Sequence, residues 1–488
     1  MANAIMLVNR WSALLALMLS PAAALAQPVD TPPEPLREFR GAWVATVGNI
    51  DWPSKPELTV NDQKAEFRAI LERAVELKLN ALILQVRPAC DAFYESQIEP
   101  WSYYLTGTMG KAPAPPYDPL EFCLAEAHMR GIELHAWFNP FRALTSLNAP
   151  TSSNHVTKQH PEWVRRYGGQ LWLDPGEPDV REYSLSVILD VVRRYDVDGV
   201  HIDDYFYPYP TPAKTPFPDD ATYRRYREKG GTLERGDWRR DNNNQLVQQL
   251  YQRVKELKPW VKVGISPFGI WRPGVPDTII AGLDAYGEIY ADSRRWLSEG
   301  WCDYFSPQLY WSIGPRKQSF PVLMDWWAEQ NARGRHLWPG IATERIGPVR
   351  PAQEILNQIT LTRGLPGSQG HLHWNNKALM INKGKITDRL RETTYRQFAM
   401  VPPSPWLGMK KLPKPIVEQA SDRLTWHLPD GDPPRWWLVQ ARSDDGSWAS
   451  QLVPGTRQSG KPPQARAFCL RAVDSTGVLG APTLLEVR

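Results

Sequence analysis

The stretch DGVHIDDYFYPYP, residues 198–210, ends an apolar run on two adjacent carboxylates, Asp203 and Asp204, and four aromatics follow within six residues. Paired acids suit general acid–base chemistry, because repulsion between neighbours raises one pKa and keeps a proton available near neutrality. Hydrolysis of a glycosidic bond has that requirement: one group protonates the leaving oxygen and a second stabilises an oxocarbenium-like transition state. The reading takes Asp204 as the acid and Asp203 as the stabiliser. Adjacency sets a limit, since consecutive side chains on a strand diverge. A partner group must then come from Asp91, Glu288, Asp292 or Glu344, or from the substrate's own 2-acetamido group. Asp292 also reads as a helix N-cap in ADSRRWLSEG, and Asp174 in LWLDPGEPDVRE as a structural acid.

Strand-like apolar runs alternate with amphipathic runs along the chain. FRGAWVAT, ALILQVRP, IELHAWFNP, DGVHIDDYFY, VKVGISPFG, DYFSPQLYW, HLWPGIATE and GSQGHLHWNN are the strands. The helix DQKAEFRAILERAVELK, with Phe67, Ile70, Leu71, Ala74 and Leu77 on one face, typifies what lies between them. This alternation predicts an α/β fold, a (β/α)8 TIM barrel with long βα loops over residues 27–400. Strand parity then points His201 and Asp203 inward, with Gln85, Arg87, His135, Trp137, Asn139, Ser306, Gln308 and Tyr310. A polar inner layer at the C-terminal mouth favours a site there. Aromatic loops flank it, including Trp52, Phe93, Tyr94, Trp101, Tyr103, Tyr104 and Trp271. Ring faces over carboxylates and amides suit a carbohydrate. The expected sugar contacts are Trp43, Arg87, Asp91, Trp137, Asn139, Arg142, His201, Tyr205, Tyr207, Gln308, Tyr310, Trp311 and Trp374.

A zinc site assembled from His135, His201, Asp203, His371 and His373 is a weaker reading, because H-x-H alone is common and no helical H-E-x-x-H occurs. No metal or cofactor is expected. Net charge is +4 without basic clusters, which argues against a nucleic-acid partner. The 22 Trp fit either a bulky core or a sugar-stacking groove. Residues 1–26 read as a signal peptide cut after Ala24-Leu25-Ala26, with no lipid-acceptor cysteine at the cut, so export to the periplasm is expected and no transmembrane span in the mature chain. Cys90, Cys123, Cys302 and Cys469 are too scattered for a disulfide scaffold. A linker at 401–411 leads to short strands over 412–488, a small all-β sandwich whose ending resembles the last hairpin of fibronectin type III modules.

FRGAWVATVGNIDWPS, LQVRPACDAFYESQIEPWS, HAWFNPFR, GVHIDDYFYP, SPFGIWRP and CDYFSPQLYW resemble, in order, the signature blocks of the bacterial glycosyl-hydrolase-like 10 family. The resemblance implies a secreted or outer-membrane barrel. It also implies activity on peptidoglycan glycan strands that have lost their stem peptides, with cell-division proteins as partners. Other glycosidase patterns fit less well. SPFG offers no acid where an α-amylase-like barrel has one, and His201 and Tyr205 replace two acids of a chitinase-like DGxDxDxE. The rival to a glycosidase is a non-catalytic glycan-binding protein, with a metal-dependent hydrolase third.

Overall fold

The computed structural model describes residues 31–314, 316–408, 412–420, 423–461 and 465–486; the expected leader lies outside them. The alternating pattern produces parallel strands β1 (Phe39–Val44), β2 (Ala81–Arg87), β3 (Glu133–Phe138), β4 (Gly199–Ile202), β5 (Lys262–Ile265) and β6 (Tyr304–Phe305). The sheet runs on through segments His336–Leu337 and Gly340–Ala342 to β8 (Gly370–Trp374). Those two segments are halves of one strand, β7, interrupted at Pro339. One half pairs with β6 and the other with β8, so the nine hydrogen-bonded segments close into an eight-stranded barrel.

Helices fill the crossovers. In α1 (Val60–Glu76) the Thr59 side chain accepts the Asp62 N–H, and Phe67, Ile70, Leu71 and Ala74 turn inward as one stripe. Leu82, Leu84, Val86, Leu134, Ala136, Val200 and Ile202 meet such stripes outside the sheet. Inside lie Phe39, Trp43, Ala81, Ile83, Trp137, Tyr304, Trp338 and Leu372. Phe39 stacks on Trp338 at 3.9 Å between centroids, and Tyr304 lies 5.0 Å from Trp338. Aromatic rings thus replace the branched aliphatics usual in such barrels. Trp52, Trp172, Trp296, Trp327, Trp338 and Trp437 are fully buried, so much of the tryptophan surplus is core.

The last strand corrects one expectation. Leu372 lies inside the barrel, so its neighbours His371 and His373 must face out. Both bond the Tyr395 hydroxyl, at 2.8 Å for His373. The wall of the barrel therefore separates them from His135, His201 and Asp203, and the five zinc candidates do not converge.

The C-terminal sheets have orders β9-β10-β13 and β12-β11-β14-β15. Their strands are β9 (Ile416–Ala420), β10 (Arg423–His427), β11 (Trp436–Arg442), β12 (Trp448–Pro454), β13 (Ser459–Gly460), β14 (Ala467–Val473) and β15 (Thr483–Glu486). Apolar residues at successive positions bury both faces of β11. Trp437 and Val439 face the sandwich core, while Trp436 and Leu438 join Met400 and Val473 on the opposite face. That second face docks on the N-terminal end of the barrel. Arg435 clamps Asp198, just before β4, at 2.5 Å. Residues 401–408 cross the same end: Val401 enters the inner cluster and Trp406 donates to Asp303 at 2.8 Å. Among the described residues no helix is long and apolar enough to cross a membrane. All four cysteines are buried and free.

Candidate active site

Asp203 and Asp204 follow β4 directly, at the C-terminal mouth, and each is 5% exposed. Asn139, just past β3, donates from Nδ2 to both Asp203 oxygens at 2.7 Å. Its amide orientation is fixed from behind. Asn139 Oδ1 accepts from Gln85 Nε2 at 2.6 Å and from Arg142 Nη2 at 2.7 Å. Gln85 is itself held by the Thr46 and Val47 N–H groups at 3.0 and 2.9 Å. Arg142 lies over the Tyr205 ring at 4.7 Å and donates to the Pro88 carbonyl. Asp204 accepts from the Tyr209 hydroxyl and is met by the Gln308 amide.

Burial pushes Asp203 up to about 7, with the Asp204 charge adding to it, while Arg142 and Asn139 pull it back in part. Burial raises Asp204 as well, but hydrogen bonds from Tyr209 and Gln308 oppose the rise. The pair therefore holds a proton close to neutral pH. A phenol and an amide already solvate Asp204.

The other expected contacts divide by depth. Tyr205, Tyr310, Trp311 and Trp374 are half-buried around the mouth, with Trp311 packed on Phe268 at 5.6 Å. Trp43 and Trp137 lie beneath, at 2% and 4% exposure, edge-on to Trp374 at 6.1 and 6.2 Å. His201 is fully buried with both ring nitrogens bonded, so it has none left for a sugar. Arg87 is also sealed: it pairs with Glu99 at 2.6 Å and donates to the Asn139 and Pro140 carbonyls. It braces the turn that carries Asn139. Tyr207 is buried among Phe217, Tyr290 and Arg239.

The alternative acids divide likewise. Asp91 accepts from Ala89 N and Ser102 Oγ, beside a cavity of about 200 Å³ bordered by Tyr103 and Tyr104. Glu288 accepts from Asp284 N, and Asp292 takes the N-cap position of the helix Ser293–Ser298. Glu344, following β7, keeps its Oε2 buried without a hydrogen-bond partner among the described residues. Its charge and that of Asp204 both act on Tyr310. Gln85 and Tyr209 were absent from the expected contacts. Inward parity marked the first, and the YFYPYP run marked the second.

The glycosyl hydrolase-like 10 family matches residues 38–355. "Glycosyl hydrolase YngK" of Bacillus subtilis (strain 168) is 44% identical over 405 residues, covering 80% of this chain and 78% of its own. "Glycosyl hydrolase DigH" of Escherichia coli (strain K12) is 37% identical over 351 residues, covering 68% and 78%. Among solved structures, an α-L-fucosidase isoenzyme from Paenibacillus thiaminolyticus aligns over 78% of this chain and 52% of its own, with TM-score 0.49 and 12% identity.

Proposed function

The chain belongs to the glycosyl hydrolase-like 10 family and is a glycoside hydrolase, and from that premise we propose that it cleaves N-acetylhexosamine-containing glycan strands of peptidoglycan. The observation that carries this reading is the buried pair Asp203–Asp204, whose two carboxyls have unlike partners at the barrel mouth. Asp203 gives its proton to the glycosidic oxygen as the bond to the anomeric carbon breaks. Asp204 stays ionised and accepts the N–H of the substrate's 2-acetamido group. The acetamido oxygen then attacks the anomeric carbon from the opposite face, and configuration is retained when water opens the ring so formed. The water's proton returns to Asp203. Trp374 and Tyr205 provide ring faces for the sugar, and Gln308 and Tyr310 polar contacts.

The reading places the protein in the periplasm, exported by its leader, with division proteins as neighbours. The strand orders of the C-terminal sheets support a fibronectin type III-like sandwich. The test is turnover of purified denuded glycan strands, with products identified by mass spectrometry. Asp203→Asn and Asp204→Asn should each lower kcat by about 100-fold or more, the usual weight of a positioned acid or base. Full turnover in both variants would sink the assignment. Tight binding with no product from the native protein would favour the glycan-binding alternative.

A further inference from the structure

Polar side chains inside the barrel form a chain that the proposed reaction does not use. At its lower end Lys262 Nζ meets Glu133 at 2.9 and 3.0 Å. Glu133 meets His135 Nε2 at 3.0 Å, and His135 Nδ1 meets the Tyr304 hydroxyl at 2.8 Å. The same hydroxyl meets His201 Nδ1 at 3.0 Å, and His201 Nε2 meets Trp43 Nε1 at 3.2 Å. Each member comes from an inward position on β1, β3, β4, β5 or β6.

The direction of every bond is fixed by its ends. An indole nitrogen only donates, so His201 Nε2 accepts. His201 then carries its proton on Nδ1 and donates to Tyr304. Tyr304 has one proton and gives it to His135 Nδ1. His135 donates from Nε2 to the Glu133 carboxylate, whose charge Lys262 balances. This is the arrangement that leaves no donor facing a donor, and it holds each histidine to one proton. Burial and the nearby His135 keep His201 neutral, well below its usual pKa.

Space has been cleared for the chain. A Cβ at Gly264 would come within 1.9 Å of the Tyr304 ring. A Cβ at Gly340 would come 2.8 Å from Trp43 Cη2 and 3.3 Å from the Tyr310 ring. Trp43 is thus held at its N–H edge by His201 and at its far edge by bare backbone of β7. Trp374, half-buried at the mouth, rests edge-on against it.

We propose that His201, Tyr304 and His135 are positioning residues: through a hydrogen-bonded rod of fixed polarity they orient Trp43, and through Trp43 the ring floor on which a sugar sits. The kinetic part of the test rests on the glycosidase reading, and the spectroscopic part does not. Full-length protein labelled with [15N-indole]tryptophan gives the Trp43 Nε1–H resonance, assigned by Trp43→Phe. His201→Leu removes the acceptor and should move that resonance upfield. His201→Gln keeps an acceptor towards Trp43 and a donor towards Tyr304, and should hold it near its native position. On glycan strands, His201→Leu should lose about tenfold in kcat/KM, the weight of one buried hydrogen bond, carried by KM because the acids are untouched. His201→Gln should recover most of that loss. Should His201→Leu fail to fold, Tyr304→Phe breaks the rod one link lower and should shift the same resonance in the same direction. An unmoved Trp43 resonance in both His201→Leu and Tyr304→Phe would overturn the proposal. So would a His201→Gln protein as impaired as His201→Leu.

Discussion

Asp203→Asn should make the protein more stable, and only above about pH 4, near the intrinsic carboxyl pKa. The wild-type Asp203 is 5% exposed and is pushed up to about 7 in the folded chain. An unfolded aspartate titrates near about 3.9. The folded state therefore binds this proton more tightly than the unfolded state does. Stability is complete below about pH 4, falls as the pH rises towards 7, and is flat beyond it. The difference is roughly 3 pKa units, which caps the loss at about 4 kcal/mol. Loss of one Asn139 hydrogen bond offsets part of this and brings the expected gain of the variant to about 2–4 kcal/mol at pH 8. The other Asn139 donor stays engaged, because the amide keeps one oxygen where the carboxylate has two. The assay is calorimetric melting of both proteins at constant salt from pH 4 to pH 8. The gap in Tm should open by several degrees over that range, about 2–4 °C per kcal/mol for a domain of moderate size. A gap that stays constant, or closes as the pH rises, would refute the claim that burial and Asp204 raise Asp203.

Two further outcomes follow from the same structure. Asn139→Ala removes the two donors that favour ionised Asp203, so the alkaline limb of the pH–rate profile should move up by about one unit, the worth of a hydrogen bond to charge; a limb that stays near 7 would separate Asn139 from the ionisation. Arg435→Met leaves Asp198 buried beside His128 without its guanidinium partner, and should cost about 3–5 kcal/mol and expose residues 400–408 to limited proteolysis. Burial alone would raise Asp198, yet Arg435 and His128 hold it far below its usual value, so the stabilisation exists above about pH 4 and is lost in acid. Wild-type melting and protease resistance in that variant would mean that the sandwich is held by its apolar face alone.

The barrel was legible because its period is local. Apolar residues at alternate positions of ALILQVR and at helical spacing in α1 fix which side meets which, and both sets pack as the pattern implies. Strand eight failed the same reasoning because GHLHW alternates two histidines with two apolar residues, and parity alone does not say which set faces inward. Tyr395, more than twenty residues downstream, decides it by giving both histidines a partner outside the sheet. The docking of the sandwich was likewise hidden. The run RWWLVQAR shows a strand apolar on both faces, but only the third dimension shows that one face covers the end of a barrel.

In the site, the sequence gives direction but not depth. Arg87 and Asn139 both point inward, yet Arg87 spends its donors on Glu99 and two carbonyls, while Asn139 reaches Asp203. The polar bias of the inner strands had two causes rather than one. Glu133, His135, His201 and Tyr304 satisfy one another within the wall, and their polarity marks no direct ligand contact. Asp203 and Asp204 stand one layer higher, as two buried carboxyls whose pKa values burial raises. His201 and Asp203 are two residues apart, about 7 Å along the strand. That one step separates a group the fold has fully satisfied from a carboxyl that burial pushes up to about 7.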